Sequence, residues 1–145
     1  MIREIETYMK EDFKKRLKDL YGDTWFKSGL PKNVYDESIM RAADKNYEAK
    51  TKSEEVDPWD CLNIIDYRKI ATYGRNWSEL FEKHYTKPGE EKISGGKDAK
   101  TGWIQKLERI RNQNVHSYSV KEDEYELLCE LNEWLIERRV ENELE

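Results

Sequence analysis

The chain has 145 residues, enough for one domain around one core, with 37% hydrophobic residues, 39% charged residues and a net charge of -5. Its mean hydropathy of -1.06 is that of a very polar chain, yet five Trp and nine Tyr exclude a disordered one, because disordered chains are poor in aromatics. The acidic balance argues against a broad nucleic-acid-binding face, and the lack of a long apolar run or signal-peptide pattern points to a cytoplasmic protein without a membrane span.

Ile2, Ile5, Met9, Phe13, Leu17 and Leu20 recur at helical steps and predict one amphipathic helix, with Gly22 as its C-cap. "DTWFKSGLPKNV" reads as a turn-rich link whose Trp25 and Phe26 lie against the core. Pro31 fits the first turn of a second helix that runs to about Ala43. Residues 45–57 show charge without period and read as a loop. Asp57 and Pro58 then mark a helix start, as N-cap and N1, for a helix carrying Trp59, Leu62, Ile65, Ile70 and Tyr73. Gly74 interrupts it. Asn76 and Glu79 have the spacing of an N-cap and its N3 acid, opening a short helix with Trp77, Leu80 and Phe81.

Residues 86–99 contain Pro-Gly and Gly-Gly and read as a long flexible loop. Neither GxGxxG nor GxxxxGK[ST] is present, so the glycines predict a hinge rather than a phosphate cradle. From about Ala99 a helix buries Trp103, Ile104, Leu107 and Ile110. A last helix opens at a capping box, Ser119 to Glu122, and carries Tyr125, Leu128, Cys129, Leu131, Leu135 and Ile136. No segment alternates with period two. The expected fold is all-α, five or six helices in a single domain over 1–145, itself complete or part of a larger protein. Cys61 and Cys129 sit in apolar stretches and read as buried free thiols in a reducing compartment. Two His and two scattered Cys predict no metal site, and no cofactor is expected.

The segment "RNQNVHSY", residues 111–118, carries the chemistry. Residues 97–116 hold five cations against two acids, whereas residues 121–145 hold three cations against ten acids. A local basic site on an acidic body is therefore open. On a straight helix Arg111 and His116 differ by about 140° and face apart, while Arg109, Asn112 and His116 share a face. A helix end between Arg111 and His116, as the Ser119 cap implies, lets both aim into one cleft. Histidine moves a proton near neutrality. Arginine holds a phosphate or a developing oxyanion. Together they suit RNA cleavage by the neighbouring 2'-hydroxyl, which needs no metal-bound water. An ordinary helix C-terminus, where cations favour the dipole and Asn accepts αL geometry, fits the same residues.

"RIRNQNVHSY" resembles the R-x4-6-H signature of the HEPN superfamily, in which an arginine, a polar residue and a histidine sit between two helices of an all-α bundle. "YGDTWFKSGLPKNV", "DYRKI" and "NWSELF" are similar to the HEPN variant attached to ATPases, defence proteins and RNA-surveillance endonucleases, and the likeness extends over residues 21–134. The resemblance implies a metal-independent endoribonuclease working as a homodimer, with two Arg/His pairs in one shared cleft. It implies that Arg111 polarises the scissile phosphate, that His116 is general acid or base, and that Asn112 positions one of them or the RNA. Arg109 and Lys106 are auxiliary RNA contacts outside the motif.

"RNQNVHSY" also fits R-x4-H-x-Y, the form of HEPN toxins paired with nucleotidyltransferase antitoxins. There the tyrosine is an adenylylation site, which would make Tyr118 regulatory; packing against the last helix is the plain alternative. Antitoxin, nucleotidyltransferase or ATPase partners follow from these likenesses, in antiviral defence, toxin-antitoxin or RNA quality-control settings. The competing reading is a catalytically silent HEPN module for dimerisation, protein interaction or nucleotide sensing.

Overall fold

The N-terminal stripe folds as expected. Helix α1 (Ile2–Tyr21) buries Ile5, Met9, Phe13 and Leu17 completely and ends at Gly22, whose φ of 65° suits glycine. The computed structural model describes residues 1–115 and 120–139, with the backbone alone at 114 and 115. The expected link after α1 is helical throughout: a 3-10 turn (Gly22–Thr24) leads into the short α2 (Trp25–Ser28). Trp25 and Phe26 pack against the core as anticipated. Gly29 is required there. A Cβ on it would lie 2.8 Å from Leu17 Cδ2 and 2.8 Å from the Trp25 carbonyl. Gly29→Ala is expected to cost about 1–3 kcal/mol by overpacking. Gly102→Ala, with nothing within 4 Å, is expected to be neutral; urea titration of both compares them.

Pro31 is the N-cap of α3 (Lys32–Glu48), one position before the first turn. The helix runs five residues past Ala43, so the first part of the expected loop is helix. The helix start at Asp57 and Pro58 holds, but it opens only a 3-10 turn (Pro58–Cys61), which packs on α3. A second start follows. Asn63 caps α4 (Ile64–Ala71), and Asp66 Oδ2 accepts the Asn63 backbone N–H at 2.8 Å. The single helix expected over Trp59 to Tyr73 is thus two elements, and Tyr73 is exposed.

Asn76 is not an N-cap. Its backbone is already helical, and a π-helical turn (Trp77–Phe81) runs on into α5 (Glu82–Tyr85). The buried side chain instead ties three elements together. Nδ2 donates to Gly29 O (2.9 Å) and Ile70 O (2.8 Å), and Oδ1 accepts the Tyr21 hydroxyl. Residues 96–99, expected in the loop, belong to α6 (Gly96–Lys100). Lys97 and the Asp98 carbonyl hold this helix to Thr72 O and Arg68, at 2.9 and 2.8 Å.

Helix α7 (Gly102–Val115) buries Trp103, Ile104, Leu107 and Ile110. Helix α8 (Glu122–Asn132) begins later than the Ser119 pattern predicts: Lys121 is its N-cap, and Glu124 Oε1 accepts the Lys121 N–H at 3.0 Å. Ser119 lies outside the described residues. A π-helical turn (Glu133–Glu137) continues α8. Cys61 is buried, but Cys129 is exposed, because α8 turns Leu128 and Leu131 inward and Cys129 sits about 100° from Leu128.

The fold is all-α. Among the described residues there is no strand, and five helices of eight residues or more, α1, α3, α4, α7 and α8, form the body. Phe13 anchors the core: it stacks on Phe81 at 4.3 Å and meets Tyr67 and Tyr85 edge-on at 5.1 and 4.9 Å. Arg139 closes the far end, 5.2–5.8 Å from the rings of Tyr8, Tyr85 and Trp134, donating to the Tyr8 hydroxyl and the His84 carbonyl.

Candidate functional site

Helix α7 sets the site. Its apolar face is fixed by the core, so Lys106, Arg109, Arg111 and Asn112 are all turned outward and exposed. It stays helical to Val115, one residue before His116. His116 and Tyr118, the expected general acid/base and the expected modification site, lie outside the described residues. Arg111 and Asn112 do lie within them, and they go to different flanks.

Arg111 turns toward α1. Its Nε donates to Glu6 Oε1 at 2.7 Å across 105 residues of sequence. The pair is half-exposed, so it is worth little in stability; its weight is in orienting the guanidinium. Glu6 has a second neighbour in the buried Tyr67, whose hydroxyl pKa is raised well above the ordinary tyrosine value, first by burial and then by the charges of Glu6, Asp66 and Asp60.

Asn112 turns toward α4. With Gln105, Glu108, Arg109 and Gln113 it lines a groove of about 460 Å³ against Ile65. Asn112 Nδ2 donates to Glu108 Oε1 at 3.4 Å, and Glu108 Oε2 accepts the Ile65 backbone N–H at 2.8 Å. The acid in this groove is thereby engaged. Lys106 and Arg109 meet across a second cleft, toward α8, where Asp123, Glu124, Glu126 and Glu130 supply the opposite charge. Lys87 in that cleft is paired with Glu130 at 3.0 Å. The acidic rim disfavours a polyanion on the α8 side; the α4 side carries no such rim.

The structure therefore brings Arg109 and Asn112 together, and Arg109 and Lys106, but not Arg111 with any of them. Gln113 and Glu6 were not anticipated. Gln113 was within reach of sequence reasoning, since it stands four residues from Arg109 on the same helix face. Nothing local in sequence marks Glu6.

The other histidine, His84, is exposed. Partial burial, with Arg16 and Arg139 nearby, holds its imidazole below the usual pKa, so it is largely neutral at pH 7. Among the described residues no cluster of His, Cys, Asp or Glu is arranged to hold a metal ion, and no helix is long and apolar enough to cross a membrane. The chain matches no family model, no curated protein and no solved structure.

Proposed function

We propose that the chain is a metal-independent endoribonuclease of the HEPN type, acting on single-stranded RNA as a homodimer. The observation that carries the reading is Arg111. It stands exposed near the end of α7, five residues before His116, and Glu6 engages only its Nε. Nη1 and Nη2 have no partner among the described residues, and such a pair grips two phosphate oxygens. Arg111 stabilises the charge that builds on the phosphate as the 2'-oxygen attacks phosphorus. His116 takes the 2'-hydroxyl proton or returns one to the leaving 5'-oxygen. Attack breaks the P–O5' bond and leaves a 2',3'-cyclic phosphate and a 5'-hydroxyl. Asn112 and Arg109, along the α4 groove, hold the strand. Lys106, within the acid-rimmed cleft, is a weaker contact.

The purified protein is expected to cut single-stranded RNA in EDTA, leaving cyclic or 3'-phosphate ends, and His116→Ala is expected to abolish the cut. Cutting that requires Mg²⁺, or that persists in His116→Ala, sinks the mechanism. The Glu6–Arg111 pair favours one other reading, a silent module in which Arg111 is a structural tie. A stable dimer that cuts no RNA, and melts markedly earlier in Glu6→Gln and Arg111→Gln, decides for it.

A further inference from the structure

Several surface cations of this chain sit four residues from an acid and pair with it: Arg16 with Asp12, Lys32 with Asp36, Arg41 with Glu37 and Arg75 with Glu79. Lys14 and Lys18 on α1 break that pattern. They stand four apart, cation beside cation, and like charges at this spacing repel. Neither joins an ion pair among the described residues, not even with Glu11, one turn before Lys14. Both ammonium groups instead lie over one ring, each 5.7 Å from the centroid of half-buried Trp25. The negative face of the ring draws them in, and Phe26 and Trp59, edge-on at 5.6 and 5.3 Å, hold the ring. Two cations gathered at one spot make a point of positive potential on a molecule of net charge -5. A bound anion relieves their repulsion.

Position indicates which anion. Glu6, Lys10, Lys14 and Lys18 form one row of i,i+4 steps on α1, and Arg111 docks on Glu6. Lys10, between them, is neutralised by Asp60 at 2.8 Å. Along the helix axis Lys14 is about 12 Å from Glu6 and Lys18 about 18 Å, a span that a few nucleotides of single strand cover. Resting on the endoribonuclease reading, we infer that Lys14 and Lys18, gathered by Trp25, anchor the phosphate backbone of the single-stranded substrate away from the cut. The α4 groove lies on the other flank of α7, so this anchor holds the part of the strand that leaves Arg111 along α1. It reads no base, because phosphates carry no sequence information. It grips substrate and transition state alike, which lowers KM and leaves kcat alone. RNAs too short to reach α1 from Arg111 gain nothing from it.

The test is the double variant Lys14→Gln/Lys18→Gln. Lys14→Arg/Lys18→Arg keeps both charges, and Lys50→Gln/Lys52→Gln removes the same charge from the exposed segment after α3. KM and kcat are read in EDTA on single-stranded RNAs of increasing length. Binding of uncleavable 2'-deoxy-substituted oligonucleotides is measured over a salt series. In Lys14→Gln/Lys18→Gln, KM should rise for the long RNAs alone, kcat should hold, and the plot of log affinity against log salt should lose about 1 from its slope. The arginine pair should behave as wild type, and the Lys50/Lys52 control should change neither quantity. Equal affinity and slope in wild type and Lys14→Gln/Lys18→Gln overturn the inference, as does an equal loss in the control. A poly-glutamate peptide that binds wild type but not Lys14→Gln/Lys18→Gln, with RNA affinities equal, gives the surface to an acidic protein and overturns it too. If wild type cuts no RNA, the nuclease reading fails by itself. The binding series then decides: a slope flattened in Lys14→Gln/Lys18→Gln but not in the control upholds the anchor, and equal slopes overturn it.

Discussion

Asn76→Leu is expected to lower the unfolding free energy by about 3–5 kcal/mol, out of a total of roughly 5–15 kcal/mol for a domain of this kind. Leucine fills the volume but makes none of the bonds. Gly29 O loses its donor, Ile70 O is left with the Tyr73 N–H at 3.2 Å, and the Tyr21 hydroxyl loses its acceptor. Each group left buried without a partner costs about 1–3 kcal/mol, and incomplete burial of the hydroxyl keeps the total below the full sum. Asn76→Asp fares no better, because a carboxylate presents acceptors to two carbonyls. Tyr21→Phe removes one bond and is expected to cost about 1 kcal/mol. A double-mutant cycle in urea measures the coupling, and an unchanged midpoint in Asn76→Leu refutes the role.

The second large effect is on activity. Arg111→Ala is expected to slow RNA cleavage by about 10²–10³-fold, the range seen when one donor to a developing oxyanion is removed. The melting temperature should hardly change, since the Glu6 pair is half-exposed. Arg111→Lys should recover little, because an ammonium cannot grip two phosphate oxygens with a planar fork. Mixing the two inactive chains, Arg111→Ala and His116→Ala, tests the shared cleft. A mixed dimer keeps one Arg and one His on different subunits, so partial recovery is expected if the cleft draws on both. With subunits shown to exchange, no recovery means that each chain carries its own site.

The elements legible in the sequence were those that face the core on one side only. The α1 stripe and the inward face of α7 have a complete period because packing demands it. The extension of α3 to Glu48 had no such mark: its last turn faces solvent, with Tyr47 91% exposed. There helix propensity acts without a hydrophobic pattern. The break at Leu62 was hidden because two N-caps, Asp57 and Asn63, stand six residues apart, and only the first was followed by proline. Asn76 has the residue type and spacing of a cap, and only tertiary contact reveals that its amide serves Gly29 and Ile70. In the site, helical spacing placed Arg109 with Asn112. It could not supply Glu6, since an ion pair across 105 residues has no local signature.

The cluster around Arg139 bears on how the chain emerges from the ribosome. α1 is synthesised long before α8, yet it packs against α8 and the turn after it, and Tyr8 waits for Arg139 across 131 residues. Until that segment clears the exit tunnel, α1 lacks part of its cover, and a nascent chain in that state is prone to associate with others. Glu6 likewise meets Arg111 only after a further 105 residues have been made.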